Sequence, residues 1–246
     1  METLGPSGLA LFAVVIVLSY AIRGSAGFGG ITVPLLVYIL SLKIVVPMVT
    51  FLGIMSSFAI LATAHKHVDW KVVRRVAPST VVGALIGLYF FSALDPGTLA
   101  RALGALIIVY GTYAMVITFR EAPQLRLPMR WVVPAVGSVA GFVGTLFGSM
   151  AGMFFAAYLD MLRLHKDAFR ATASAILFGL GLLRGAGYIV VGAFDRDAIV
   201  ACAAALPLMG IGVLIGARIH ANMNTIAFRR LVALLLIFSG LPLLIR

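Results

Sequence analysis

Gly24-Ser25-Ala26-Gly27-Phe28-Gly29-Gly30 lies in the middle of apolar sequence, and a related run, Gly144-Thr145-Leu146-Phe147-Gly148-Ser149-Met150-Ala151-Gly152, returns in the second half of the chain. Helix-breaking clusters at corresponding places in two halves of a hydrophobic protein point to a transporter binding site. Their surroundings are membrane sequence. The 246 residues are 62% hydrophobic and 11% charged, with a mean hydropathy of +1.12, whereas charged residues make up about 25% of a soluble domain. Charge-free runs occupy 4–22, 24–42, 44–64, 76–94, 102–119, 131–159, 198–217 and 231–245. Most can cross roughly 30 Å of hydrocarbon as a helix rising about 1.5 Å per residue.

The longest polar linker, 120–130, is too short for a soluble domain, so the chain is nearly all membrane. Cys202 is the single cysteine, which excludes a disulfide within the chain and any cysteine metal cluster. The net charge of +11 is scattered among short loops, as loop charge that sets membrane orientation is, and it does not form a nucleic-acid surface. Glu2 precedes the first basic residue, Arg23. Without the basic n-region of a signal peptide, the N-terminus is expected to be retained.

Sliding the chain on itself by 122 residues pairs Gly30 with Gly152, Thr50 with Thr172 and Ile54 with Ile176. A shift of 129 pairs Pro78 with Pro207 and aligns Gly83-Ala84-Leu85-Ile86-Gly87 with Gly212-Val213-Leu214-Ile215-Gly216. These matches predict an all-α integral membrane protein of two homologous repeats, 1–119 and 131–246, joined by a cytoplasmic linker at 120–130. Each repeat holds a glycine-broken hairpin, 7–42 or 131–162, followed by three transmembrane helices. The helices are expected near 44–64, 72–94 and 99–119, and near 170–193, 197–217 and 226–245.

Returning hairpins leave three net crossings per repeat, which inverts the second repeat; single crossings would leave the repeats parallel. With hairpins, thirteen Lys and Arg share one face and four the other, with Arg23 and Arg184 inside the apolar zone. Single crossings split the same residues almost evenly, so the positive-inside rule favours inverted repeats with both termini outside. The run 31–42 would make only about 18 Å of helix, too short to span. Each hairpin is therefore expected to be two partial helices meeting at a glycine tip within the membrane.

Non-helical backbone at that depth must be buried in protein or line a polar cavity. The second half-helix of each hairpin starts near Ile31 or Met153, with free N–H groups and a positive dipole end that favour anions. The glycines either let a ligand approach the main chain or only allow close helix packing. Candidate substrate contacts at the tips are Ser25, Gly27, Phe28, Gly29, Gly30 and Thr32, with Ser149, Met150, Ala151 and Gly152. Thr50 and Thr172 follow just after the hairpins; their hydroxyls either donate to an oxyanion or cap helix backbone.

Arg184 lies roughly midway along an apolar run. A cation there costs at least ~2.5 kcal/mol on insertion scales and must face a partner or water. It is either an anion ligand or a structural cation on backbone carbonyls or a buried acid. Arg23, beside the first tip, is a secondary candidate that could snorkel. Asp160, near the cytoplasmic end of the second hairpin, is the other secondary candidate, at an interface or in a proton relay. The four histidines fall on cytoplasmic loops. No His, Asp or Glu cluster at membrane depth suggests catalysis, a metal or a cofactor, so none is expected. The expected partners are a small anionic substrate and the lipid bilayer, without nucleic acid, in a monomer or homodimer.

Gly27-Phe28-Gly29-Gly30-Ile31-Thr32-Val33-Pro34-Leu35-Leu36, with its weaker echo Gly148-Ser149-Met150-Ala151-Gly152, resembles the TauE/SafE sulfite exporter family. The likeness covers nearly the whole chain, although Ala151 stands where Gly29 does and Ala156 where Pro34 does. It implies an inner-membrane carrier for sulfite, sulfoacetate or related sulfur-containing anions, with no enzymatic activity. Uptake of the same anions, or carriage of another small organic anion, stays open alongside export; a non-transport membrane assembly protein is a further alternative, which would not need a buried Arg184 beside paired broken helices.

Overall fold

The computed structural model describes residues 5–28, 32–119, 129–148, 150–162 and 164–219. Its elements are helical: α1 (Pro6–Ala26), α2 (Thr32–Leu36), α3 (Leu42–Ala64), a 3-10 turn at His65–His67, α4 (Trp70–Ala93), α5 (Pro96–Phe119), α6 (Met129–Phe147), α7 (Ala151–Met161), α8 (Lys166–Val190) and α9 (Arg196–Ile219). Among the described residues, six helices are long and apolar enough to cross a membrane: α1, α3, α4, α6, α8 and α9. The helix expected near 226–245, the linker at 120–128, and Gly29, Gly30 and Ser149 lie outside the described residues.

Local chemistry sets the helix ends. α1 begins with Pro6 in its first turn, where the missing N–H costs nothing. It stops at Gly27, whose φ of 81° is left-handed and whose N–H donates to the Arg23 carbonyl at 2.8 Å. α6 stops the same way at Gly148, with φ 82° and an N–H donating to the Gly144 carbonyl at 2.9 Å. Only glycine adopts this conformation without Cβ strain. Ser41 caps α3 by accepting from the Lys43 N–H, and Asp69 caps α4 by accepting from the Lys71 and Val72 N–H groups.

The two arms of each broken segment are unequal, which differs from the expected pair of partial helices. α1 has 21 residues and α6 has 19, about 31 and 28 Å of helix, so either can cross alone. The short arms are α2 with 5 residues and α7 with 11. Nothing in the apolar run before either cluster breaks the helix, so the first arm propagates until a left-handed glycine ends it.

Side-chain neighbours fix the directions of the helices. Tyr20 of α1 reaches Val49 of α3, and Arg23 reaches Gly53 and Ser57. α1 and α3 therefore run the same way, and the chain between them, including α2, must turn back. α3 and α8 run oppositely, since Ile54 faces Gly181 whereas Thr50 faces Gly185. α4 and α6 run together, as do α1 and α9.

These last two pairs make the closest helix crossings. A Cβ on Gly83 would stand 2.0 Å from the Ser138 carbonyl oxygen, and one on Gly216 would stand 2.1 Å from that of Ala21. Backbones meet there because glycine leaves no side chain between them, the usual route to close packing without a hydrophobic driving force in lipid. Leu85 and Ile86, between the glycines of α4, and Leu214 and Ile215, between those of α9, are exposed on the outer surface. The aligned motifs thus do the same job, each holding its helix on the long arm from the other half. Exchanging α1 with α6, α2 with α7, α3 with α8 and α4 with α9 maps the main helix pairings onto one another.

Candidate functional site

Arg23 and Arg184 are 7% and 6% exposed. Both guanidinium groups converge on Gly53 of α3, where a Cβ would be 3.7 Å from the nearest terminal nitrogen of each. Arg23 Nη2 donates to the Ser57 hydroxyl at 2.9 Å and to the Gly53 carbonyl at 3.3 Å. Arg184 Nη1 donates to the Gly144 carbonyl. The Nε atoms of both arginines are buried with no hydrogen-bond acceptor among the described residues.

The pair is electrostatically under-compensated. The contact of His165 with Asp167 at 3.6 Å is on the surface and away from both arginines. Two unit charges within about 7 Å repel by about 2 kcal/mol at an effective dielectric of 20. Partial relief comes from helix ends. Arg23 lies in the last turn of α1, and Gly144, which receives Arg184, is in the last turn of α6. Each such end carries roughly half a negative charge, too little in sum to balance two guanidiniums.

The sequence-predicted residues divide into groups. Arg184 and Arg23 come together, and Arg23 is held inward by Ser57, which rules out snorkelling. Thr50 is buried beside Gly185, one residue from Arg184, but its hydroxyl donates to Val46 of its own helix at 2.8 Å. Ser25 likewise donates to Ile22 at 2.8 Å. These two hydroxyls serve helix backbone.

The first tip points elsewhere. Gly27 packs on the backbone of Arg170, and Phe28 meets Phe169 edge-on at 6.3 Å between centroids. Both contacts are in the first turns of α8, about 21 Å along that helix from Arg184. Thr172 Oγ1 accepts from the Asp69 N–H at 3.0 Å, at the start of α4. Thr32 is buried in α2, which is too short to carry a useful dipole. Met150, Ala151 and Gly152 are buried at the start of α7, where Ala151 fills the space beside Gly144. Asp160 is exposed near the end of α7.

Gly53, Tyr20 and Tyr188 also belong to the site and were not singled out from the sequence. Tyr20 and Tyr188 are fully buried. Tyr20 donates to the Val49 carbonyl at 3.4 Å, and Tyr188 donates to that of Thr145. Tyr20 and Tyr188 stand within four residues of Arg23 and Arg184 respectively, so a tyrosine flanking a buried arginine was the available clue. Among the described residues no group of His, Cys, Asp and Glu is arranged to hold a metal.

An interrupted bundle of membrane-length helices holding two buried arginines, with no facing carboxylate among the described residues, is the architecture of a polytopic membrane carrier. The chain belongs to the sulfite exporter TauE/SafE family, whose pattern matches residues 11–243. A protein of Comamonas testosteroni described as a probable inner membrane transporter protein, TsaS, is 30% identical over 185 residues, covering 72% of this chain and 73% of that protein. No solved structure matches the chain. The protein is a multi-pass inner-membrane transporter of the TauE/SafE type.

Proposed function

We propose that this transporter moves small sulfur-containing oxyanions, such as sulfite, sulfoacetate or related sulfonates, out of the cytoplasm by alternating access. The substrate site is centred on Arg23, Arg184 and Gly53. The observation that carries this reading is the convergence of two buried guanidiniums on one glycine with no carboxylate between them among the described residues. An oxyanion supplies the missing acceptors and charge, and planar guanidinium groups match two oxygens each.

The bundle around the site is proposed to be two inverted repeats with both chain ends outside. The common direction of α1 and α3, the reciprocal pairing of the halves and the thirteen-to-four charge asymmetry support it. Cysteines placed singly at Asp69 and Gln124 should then react only from the cytoplasm, and one at Asp195 only from outside; opposite labelling of Asp69 and Gln124 contradicts the arrangement.

Export needs no coupled ion. An inside-negative potential of 100 mV favours expulsion by about 2.3 kcal/mol per charge, roughly fiftyfold at ~1.4 kcal/mol per decade. Asp95, between α4 and α5, is held below the usual carboxylate range by hydrogen bonds from the Thr98 hydroxyl and N–H. It therefore stays ionised at neutral pH and suits no proton relay. Binding and flux of sulfite, sulfonates, sulfate, thiosulfate and carboxylates in proteoliposomes test the reading. Sulfite or a sulfonate should be carried, and carboxylates alone would overturn the substrate class.

A further inference from the structure

A cavity of about 230 Å³ opens beside the start of α3 and the end of α8, lined by Lys43, Phe91, Ser92, Gly192 and Asp195 among others. Its inner wall is Phe91, which is 1% exposed and stacks at a tilt on the fully buried Tyr188, 4.9 Å between centroids. Tyr188 stands one helical turn from Arg184 on α8. Two aromatic rings therefore separate this cavity from the arginine pair.

The rings are tied at both ends. Lys43 Nζ donates to the Phe91 carbonyl and lies 4.5 Å above the Phe91 ring, a cation–π contact on the cavity side. The Tyr188 hydroxyl donates to the Thr145 carbonyl in the last turn of α6. The plug is thus fastened to α3 and to α6, whose left-handed Gly148 packs on Val46 of α3.

We infer that this cavity is the passage between the arginine pair and the outside, that Phe91 and Tyr188 form its plug, and that Lys43 is the cation met by a small anion passing through it. The assignment of the passage to substrate, and its outward side, rest on the proposed function; the plug rests on the contacts alone. Charge at the mouth is mixed, since Asp195 faces the same space, which favours transit over tight retention.

The test uses Thr50→Cys, beside Arg184, in a Cys202→Ala background, with a membrane-impermeant thiosulfonate applied to right-side-out and inside-out vesicles. With the plug intact the cysteine should react slowly from outside. Phe91→Ala should accelerate outside labelling by about tenfold or more, the change produced by ~1.4 kcal/mol. Phe155→Ala, the same truncation at a fully buried position of α7, should not. Equal rates with and without Phe91, or equal acceleration by Phe155→Ala, overturn the plug. Acceleration from the cytoplasmic side alone keeps the plug and reverses the proposed topology. Should Phe91→Ala fail to fold, Tyr188→Phe retains the ring and loses its hydroxyl, with the tie to Thr145 and the contact with Thr50; a severalfold acceleration from outside that is absent from the cytoplasmic side supports the plug, and an unchanged rate or equal acceleration from both sides overturns it. Protection of the cysteine by sulfoacetate, which unlike sulfite does not consume the thiosulfonate, reports separately on the substrate reading when measured in the same vesicles.

Discussion

Four residues before its left-handed glycine, the first long arm carries Arg23; at the same place in the second stands Gly144, and the cation there arrives from α8 as Arg184. The reason is packing. A Cβ at Gly144 would come 2.5 Å from that of Ala151, because α7 folds back closely on α6. The five-residue α2 makes a much smaller return against α1, and a long side chain fits there. A repeated scaffold thus delivers its two charges by different routes, set by how tightly each short arm folds back.

The largest expected effect comes from erasing this difference. Gly144→Arg forces a side chain into α7 and adds a third buried cation beside Arg184, a combination of overpacking and unpaired charge expected to cost well above ~3 kcal/mol. Monodisperse folded protein should be nearly absent on fluorescence-detected size exclusion. A normal yield would show that the fold-back does not decide where the charge stands.

A smaller contrast separates the tips. Gly27→Ala and Gly148→Ala each place Cβ in a left-handed residue, at roughly 1 to 2 kcal/mol. The first also meets the Arg170 carbonyl oxygen at 2.8 Å, whereas the nearest atom at Gly148 is 3.2 Å away. Gly27→Ala should therefore lower the melting temperature further, and the reverse order would show that the second tip is the tighter one.

The distribution of function between the halves was only partly legible in the sequence. All-helical membrane architecture follows from charge-free runs of spanning length, and Arg184 was marked by its depth in one of them. Arg23 was harder to weigh because a cation near a helix end reads equally as snorkelling; only the path of α3 brings Ser57 to it. Gly53 carries no sequence signal at all, since its role is to be the point where two helices deliver side chains. The glycine clusters correctly marked where the helices break. That Gly27 and Phe28 pack on the first turns of α8, far along that helix from Arg184, was invisible, because nothing in the sequence says where the end of α1 meets α8.

The smallest predicted effect sharpens the asymmetry at the site itself. Ser57→Ala removes one hydrogen bond from Arg23 and leaves Arg184 untouched, so substrate affinity should fall by roughly fivefold, as about 1 kcal/mol implies. An effect as large as loss of an arginine would mean that Ser57 contacts substrate directly.

The central claim is that Arg184 is a substrate ligand as well as a buried cation on a helix end. Melting temperature and sulfite affinity measured on the same purified Arg184→Gln protein test it most directly. Loss of a charge-assisted hydrogen bond costs ~1.5 to 3 kcal/mol, so affinity should fall by roughly ten- to a hundredfold with the melting temperature nearly kept. Arg184→Lys should recover part of the loss, because it keeps the charge without the planar fork. A glutamine variant that melts early yet binds sulfite with unchanged affinity in its folded fraction would contradict the account.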